Sequence, residues 1–151
     1  MCLGDDTMTH YGIIDVEQYL NIPFLNKGRD RKVGLDCWGL AMVIFKDRGI
    51  ELPEYNYVDA LKAQQVEHVI KEQKALYQKV LHDRFDLHPG LEIRPPLLVV
   101  MRNHLVVFNH VAIWIGKDKM IHTTPSTGVV VITLNERTKG RIEGWYRPCF
   151  T

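Results

Sequence analysis

The chain has 151 residues, 46% of them hydrophobic and 25% charged, with a formal net charge of +1. That composition fits one globular domain over residues 1–151 and excludes a disordered or fibrous chain. A charge near zero argues against a protein built to grip a nucleic-acid backbone, and the longest apolar run, Leu97–Met101, falls far short of the ~20 residues of a membrane span.

The start of the chain, Met1–Thr7, has neither a basic segment nor a long apolar stretch, so no secretory signal is expected and synthesis is assigned to the cytoplasm. Residues up to about Pro23 read as a short helix capped by Asp15, with Val16, Tyr19 and Leu20 along one edge. A polar loop, Asn26–Gly34, follows. The best-marked element comes next. Asp36 is a good N-cap, Leu40, Ala41, Ile44 and Phe45 recur at helical spacing, and Gly49 is a stop. Residues from about Asp59 to His82 predict a second helix, with Val66, Val69, Ile70, Leu76, Tyr77, Val80 and Leu81 on one stripe. Strands are then expected at Leu97–Val100, with a continuation toward Phe108, at Val111–Ile115, at Met120–Thr123 and near Val129–Leu134. The fold class is α+β, with helices packed on an antiparallel sheet.

Three cysteines, Cys2, Cys37 and Cys149, are too few for a disulfide scaffold. Cys2 and Cys149 could pair, which leaves one thiol free. Cys37 stands in the first turn of the marked helix, where unpaired N–H groups and the helix dipole favour an anion by about 0.3–1 kcal/mol. One pKa unit is about 1.4 kcal/mol, so an imidazole partner must supply the larger part of any activation. A cysteine alone reads more readily as a small core residue than as a nucleophile. Gly39 shifts that balance, because a glycine inside a first turn costs roughly 1 kcal/mol and leaves room for a substrate backbone. The base is sought among seven histidines. His68 and His82 read as solvated helix residues, His10 and His88 as loop residues, and His104 as part of a strand-like run. His110 opens an apolar strand and His122 ends its hairpin partner, so His122 could orient the ring of His110. Side chains alternate along strands, so both rings share a face only if the turn holds an odd number of residues or the hairpin contains a bulge.

Asp36-Cys-Trp-Gly-Leu40, His110-Val-Ala-Ile-Trp-Ile-Gly116 and Ile121-His122, in that order, resemble the NlpC-type cell-wall peptidases, over roughly Ile22 to Pro148. The resemblance implies a papain-like fold with the nucleophile at a helix N-terminus, and a cysteine peptidase acting on peptidoglycan stem peptides beside a D-glutamyl residue linked to a diamino acid. It implies Cys37 as nucleophile, His110 as base and His122 as its orienting partner. Asp36, Trp38, Arg29 and Arg31 are candidate substrate contacts, although capping explains Asp36 and a solvated loop explains the arginines. At the position where the family carries a tyrosine, the nearest aromatic residue is Phe24, and Tyr19 is a poor substitute on spacing. Gly28-Arg-Asp, Gly49–Tyr55 and Gly144–Pro148 look like the phage tail-associated branch, which implies delivery by a virion and contact with other tail proteins. Alternatives are an inactive structural tail-tip protein and an injected antibacterial amidase. Zinc held by Cys37, His110 and His122 is a further reading, but no ligand pair has the close spacing of structural zinc sites. No metal or cofactor is therefore expected.

Overall fold

Helix α1 (Cys37–Asp47) begins where the sequence places its cap: Asp36 is extended, and its Oδ1 accepts the Gly39 N–H at 2.7 Å. It ends at Gly49, whose φ of +85° is a conformation that glycine adopts without strain. The computed structural model describes residues 12–55, 77–81, 93–102 and 108–149. The stripe Leu40, Ala41, Ile44 and Phe45 is fully buried, and each of its larger side chains contributes roughly 1.5–3 kcal/mol of burial.

Ahead of α1, strands β1 (Arg29–Asp30) and β2 (Gly34–Leu35) form a small antiparallel pair. The helix expected up to Pro23 is only a 3-10 turn at Glu17–Tyr19, with Asp15 Oδ1 accepting the Glu17 N–H at 3.1 Å. Gly39 also has a different reason from the expected one. A Cβ there would meet the Gly28 carbonyl oxygen at 2.0 Å, so the chain's own loop occupies the space that was assigned to a substrate.

Among the described residues six strands make the main sheet, in the order β3-β8-β4-β5-β6-β7. They are β3 (Tyr77–Leu81), β4 (Leu97–Arg102), β5 (Phe108–Gly116), β6 (Lys119–Thr124), β7 (Gly128–Thr133) and β8 (Ile142–Pro148), with a short helix α2 (Glu136–Lys139) before β8. Every pairing is antiparallel. Strand β4 is buried on both faces. Leu98 and Val100 join the core under α1, while Leu97, Val99 and Met101 pack with Trp114 and Trp145 on the other side. This explains its continuous apolar run.

Two expectations are corrected. The run from Leu97 does not reach Phe108 as one strand; β4 stops at Arg102 and Phe108 opens β5. The C-terminal part of the expected second helix is strand β3, paired with β8 from Tyr77↔Pro148 onward. A distant partner strand supplies hydrogen bonds that local apolar spacing does not reveal. Residues 59–76 of that helix lie outside the described residues. Cys149 is disulfide-bonded, and the Cys2 end of the expected pairing lies outside the described residues.

Candidate active site

The β5–β6 hairpin sets the histidine pair. Gly116 pairs with Lys119 across a two-residue turn, yet further in Trp114 faces Met120 and Ile113 faces Ile121. Ile115 is the extra residue of a bulge, and it changes the parity of the register. A regular hairpin would put the two histidines on opposite faces; the bulge puts them on one. His110 Nε2 and His122 Nδ1 lie 2.9 Å apart, with the rings inclined at 73°. One nitrogen of the pair donates and the other accepts, which fixes complementary tautomers. Nδ1, the ring nitrogen nearer the backbone, is left to His110 for another partner.

Cys37 is the first residue of α1 and is 1% exposed. Burial, and next the Asp36 carboxylate, push its thiol up to about 12. The backbone N–H of Val111, the Arg29 charge and the Trp38 N–H oppose that rise without cancelling it. Val111 follows His110 directly, so the sulfur lies against the strand segment that carries the candidate base. Among the described residues no hydrogen bond joins Cys37 to either ring. His110 is 3% exposed, and burial, then His122 and Arg141, lower it to about 3. Burial and then Arg141 lower the half-buried His122 to about 4. Burial thus disfavours the charged forms of the thiol and of both imidazoles.

The four candidate substrate contacts have internal partners. Asp36 is 1% exposed and accepts the Gly39 N–H, the Lys27 N–H at 2.9 Å and Arg29 Nη1 at 2.8 Å. Arg29 also donates to the Gly28 carbonyl. Arg31 pairs with Asp47 at 2.7 Å and lies over the Tyr19 ring. Trp38 is buried, donates to the Pro53 carbonyl at 2.9 Å and packs against Tyr55 and Tyr77. Asp36, Arg29 and Trp38 brace the start of α1, and Arg31 braces its end. Tyr19 gives its hydroxyl to Asp47. Phe24 makes an isolated bridge to Leu35. For zinc, the lone pairs of both rings would have to converge on one centre, whereas Nε2 and Nδ1 face each other. His10, His68, His82, His88 and His104 lie outside the described residues. Sequence reasoning missed Arg141, whose charge reaches both rings. It arrives through the β4–β8 pairing, which no local pattern announces.

A buried cysteine opening a helix on an antiparallel sheet, with a histidine pair on adjacent strands, defines a papain-like protein. The sequence pattern of the NlpC/P60 family matches residues 22–142, and the chain belongs to the NlpC/P60 family, a family of cysteine peptidases and hydrolases. Among solved structures it is similar to an NLP/P60 lipoprotein-like protein of Staphylococcus aureus, with TM-score 0.54, 18% identity and 93% of this chain against 44% of that one. It is similar to an NlpC/P60 protein of Bacillus cereus, with TM-score 0.54, 21% identity and 87% against 37% covered. It also resembles the NlpC/p60 domain of the peptidoglycan hydrolase SagA, with TM-score 0.50, 18% identity and 86% against 90% covered. Identities this low show a shared fold. The chain spans less than half the length of the staphylococcal and Bacillus chains. No curated protein matches it. No helix among the described residues is long and apolar enough to cross a membrane.

Proposed function

We propose that the chain is a cysteine peptidase domain that cleaves peptidoglycan stem peptides, with Cys37 as nucleophile, His110 as base and His122 as orienting residue. The observation that carries this reading is the His110–His122 contact at 2.9 Å, which takes Nε2 and leaves Nδ1 for the thiol. Sγ of Cys37 attacks the amide carbonyl carbon while its proton passes to His110 Nδ1. His110 then protonates the leaving amine, and a thioester remains. Water adds to the thioester, giving its proton to the same nitrogen, and the acid product leaves as the thiol is restored. Burial disfavours a separated thiolate and imidazolium, which favours proton transfer that accompanies attack. The bond cleaved is one beside a D-glutamyl residue linked to a diamino acid, in line with the family motifs around Cys37 and His110. Delivery by a phage tail accords with the Gly28-Arg-Asp and Gly144–Pro148 segments.

Mass spectrometry of muropeptides after digestion of purified peptidoglycan tests this. The wild type should release new amino termini at one type of bond, and Cys37→Ala should release none. Equal products from both proteins would refute the assignment. The burial of Cys37 favours one other reading, a tail-tip structural protein without hydrolytic activity. Absence of products from the wild type together with the protein's presence in purified virions would support it.

A further inference from the structure

Arg141 takes no part in the proposed reaction, yet it is held firmly in place. Its Nε and Nη2 both donate to the Arg102 carbonyl, at 2.9 and 2.6 Å. The Arg102 N–H returns a bond to the Arg141 carbonyl at 2.8 Å, and Arg102 Nη2 donates to the Gly140 carbonyl at 2.7 Å. Arg102 follows Met101, the residue paired with His110. The guanidinium is thus pinned beside the end of β5 that carries the base. Of its five N–H groups, two are used on the carbonyl, and the end-on pair that matches a carboxylate remains.

Among the described residues this cation has no anion. No ion pair among the described residues includes Arg141, and Arg102 and Arg137 add like charge around it. It is partly exposed. The charged group acting on the histidine pair is Arg141, Cys37 lies against the backbone of the adjoining Val111, and no carboxylate among the described residues acts on either ring. A partly buried cation with no counter-ion among the described residues, beside rings that burial disfavours from charging, leaves a place for a ligand's negative charge.

We infer that the Arg141 guanidinium binds a carboxylate of the peptide substrate beside the His110–His122 pair, and that its occupation makes the pair a better proton acceptor. An acidic peptide would then help to create the base that attacks it, while a neutral peptide would meet an imidazole that resists protonation. The inference rests on the reading of His110 as the base. The binding step itself is measured without turnover.

The test follows the imidazole nitrogen resonances of His110 and His122 in Cys37→Ala protein during titration with glutarate, and with glutaramide as the neutral control. Glutarate should shift both rings saturably and move their protonation to higher pH, while glutaramide should not. Arg141→Gln should weaken glutarate binding about tenfold or more, the loss of one charge-assisted hydrogen bond. Arg141→Lys, which keeps the charge, should retain part of it. Equal shifts with glutaramide, no shift with glutarate, or unchanged affinity in folded Arg141→Gln would each overturn the inference. If Arg141→Gln fails to fold, the comparison of glutarate with glutaramide on the Cys37→Ala protein still decides. Loss of peptidoglycan cleavage would bear on the proposed function and not on this binding.

Discussion

Replacing Asp36 separates its structural task from its effect on the thiol. Its carboxylate accepts the Gly39 and Lys27 N–H groups and Arg29 Nη1, all while 1% exposed. In Asp36→Ala the helix loses its cap, at about 1 kcal/mol. Arg29, with 18% side-chain exposure, loses a charged partner worth about 1.5–3 kcal/mol. The Lys27 N–H loses its acceptor at roughly 1 kcal/mol more. The sum, about 3.5–5 kcal/mol, is a large part of the stability of a domain this size. Asp36→Asn keeps one acceptor oxygen and removes the charge, so it should cost roughly half as much. It also removes a charge that raises the Cys37 pKa and unmasks Arg29, which lowers it. Iodoacetamide should therefore alkylate Cys37 faster in folded Asp36→Asn than in the wild type. Urea unfolding followed by circular dichroism gives the stabilities, and alkylation rates below the unfolding transition give the reactivity. A cost under about 1 kcal/mol for Asp36→Ala, or slower alkylation in Asp36→Asn, would refute the reasoning.

Acid should destabilise the fold through the histidine pair. Both rings are held neutral below the ordinary imidazole value of 6.5, so the unfolded chain binds protons that the folded chain refuses. This stability is fully present above about pH 6.5 and is lost as pH falls toward 4, with a slope of about 1.4 kcal/mol per pH unit for each proton taken up. His122→Gln should flatten that slope in unfolding curves measured from pH 7 to 4.5. At the alkaline end the raised Cys37 thiol works in the opposite sense. Stability should begin to fall above about pH 9, where the unfolded thiol ionises, and Cys37→Ala should remove that first part of the fall, leaving the part above about pH 10 that comes from the raised Tyr19 hydroxyl. Gly39→Ala should prevent native folding or strongly lower the thermal midpoint, because its Cβ meets a backbone oxygen at 2.0 Å. Ile44→Ala should cost about 2–5 kcal/mol in urea unfolding.

Much of this was legible in the residues. Asp36, the Leu40–Phe45 stripe and Gly49 marked α1 because capping and 3.6-residue periodicity are local. The spacing of His110 and His122 required either an odd-residue turn or a bulge, and the structure has a two-residue turn with a bulge at Ile115. Its exact position depends on packing and could not be read. Strands β3 and β8 escaped because their pairing joins residues far apart in sequence. Gly39 was misread because its constraint comes from Gly28 across the β1–β2 loop. The substrate contacts assigned to Asp36, Trp38, Arg29 and Arg31 could not be weighed against internal partners until Asp47 and Pro53 were placed beside Arg31 and Trp38. Burial of Cys37 was equally illegible, since the first turn of a helix suits an exposed thiolate and a covered thiol alike.

The chemistry turns on whether Cys37 becomes covalently acylated. Rapid acid quench of the wild-type chain mixed with a synthetic stem peptide, followed by intact-mass measurement and peptide mapping, tests this directly. The account predicts a transient adduct equal to the acyl half of the peptide, located on Cys37 and lost on neutral hydroxylamine treatment. Cleavage of the peptide with no such adduct, and at an undiminished rate in Cys37→Ala, would contradict it.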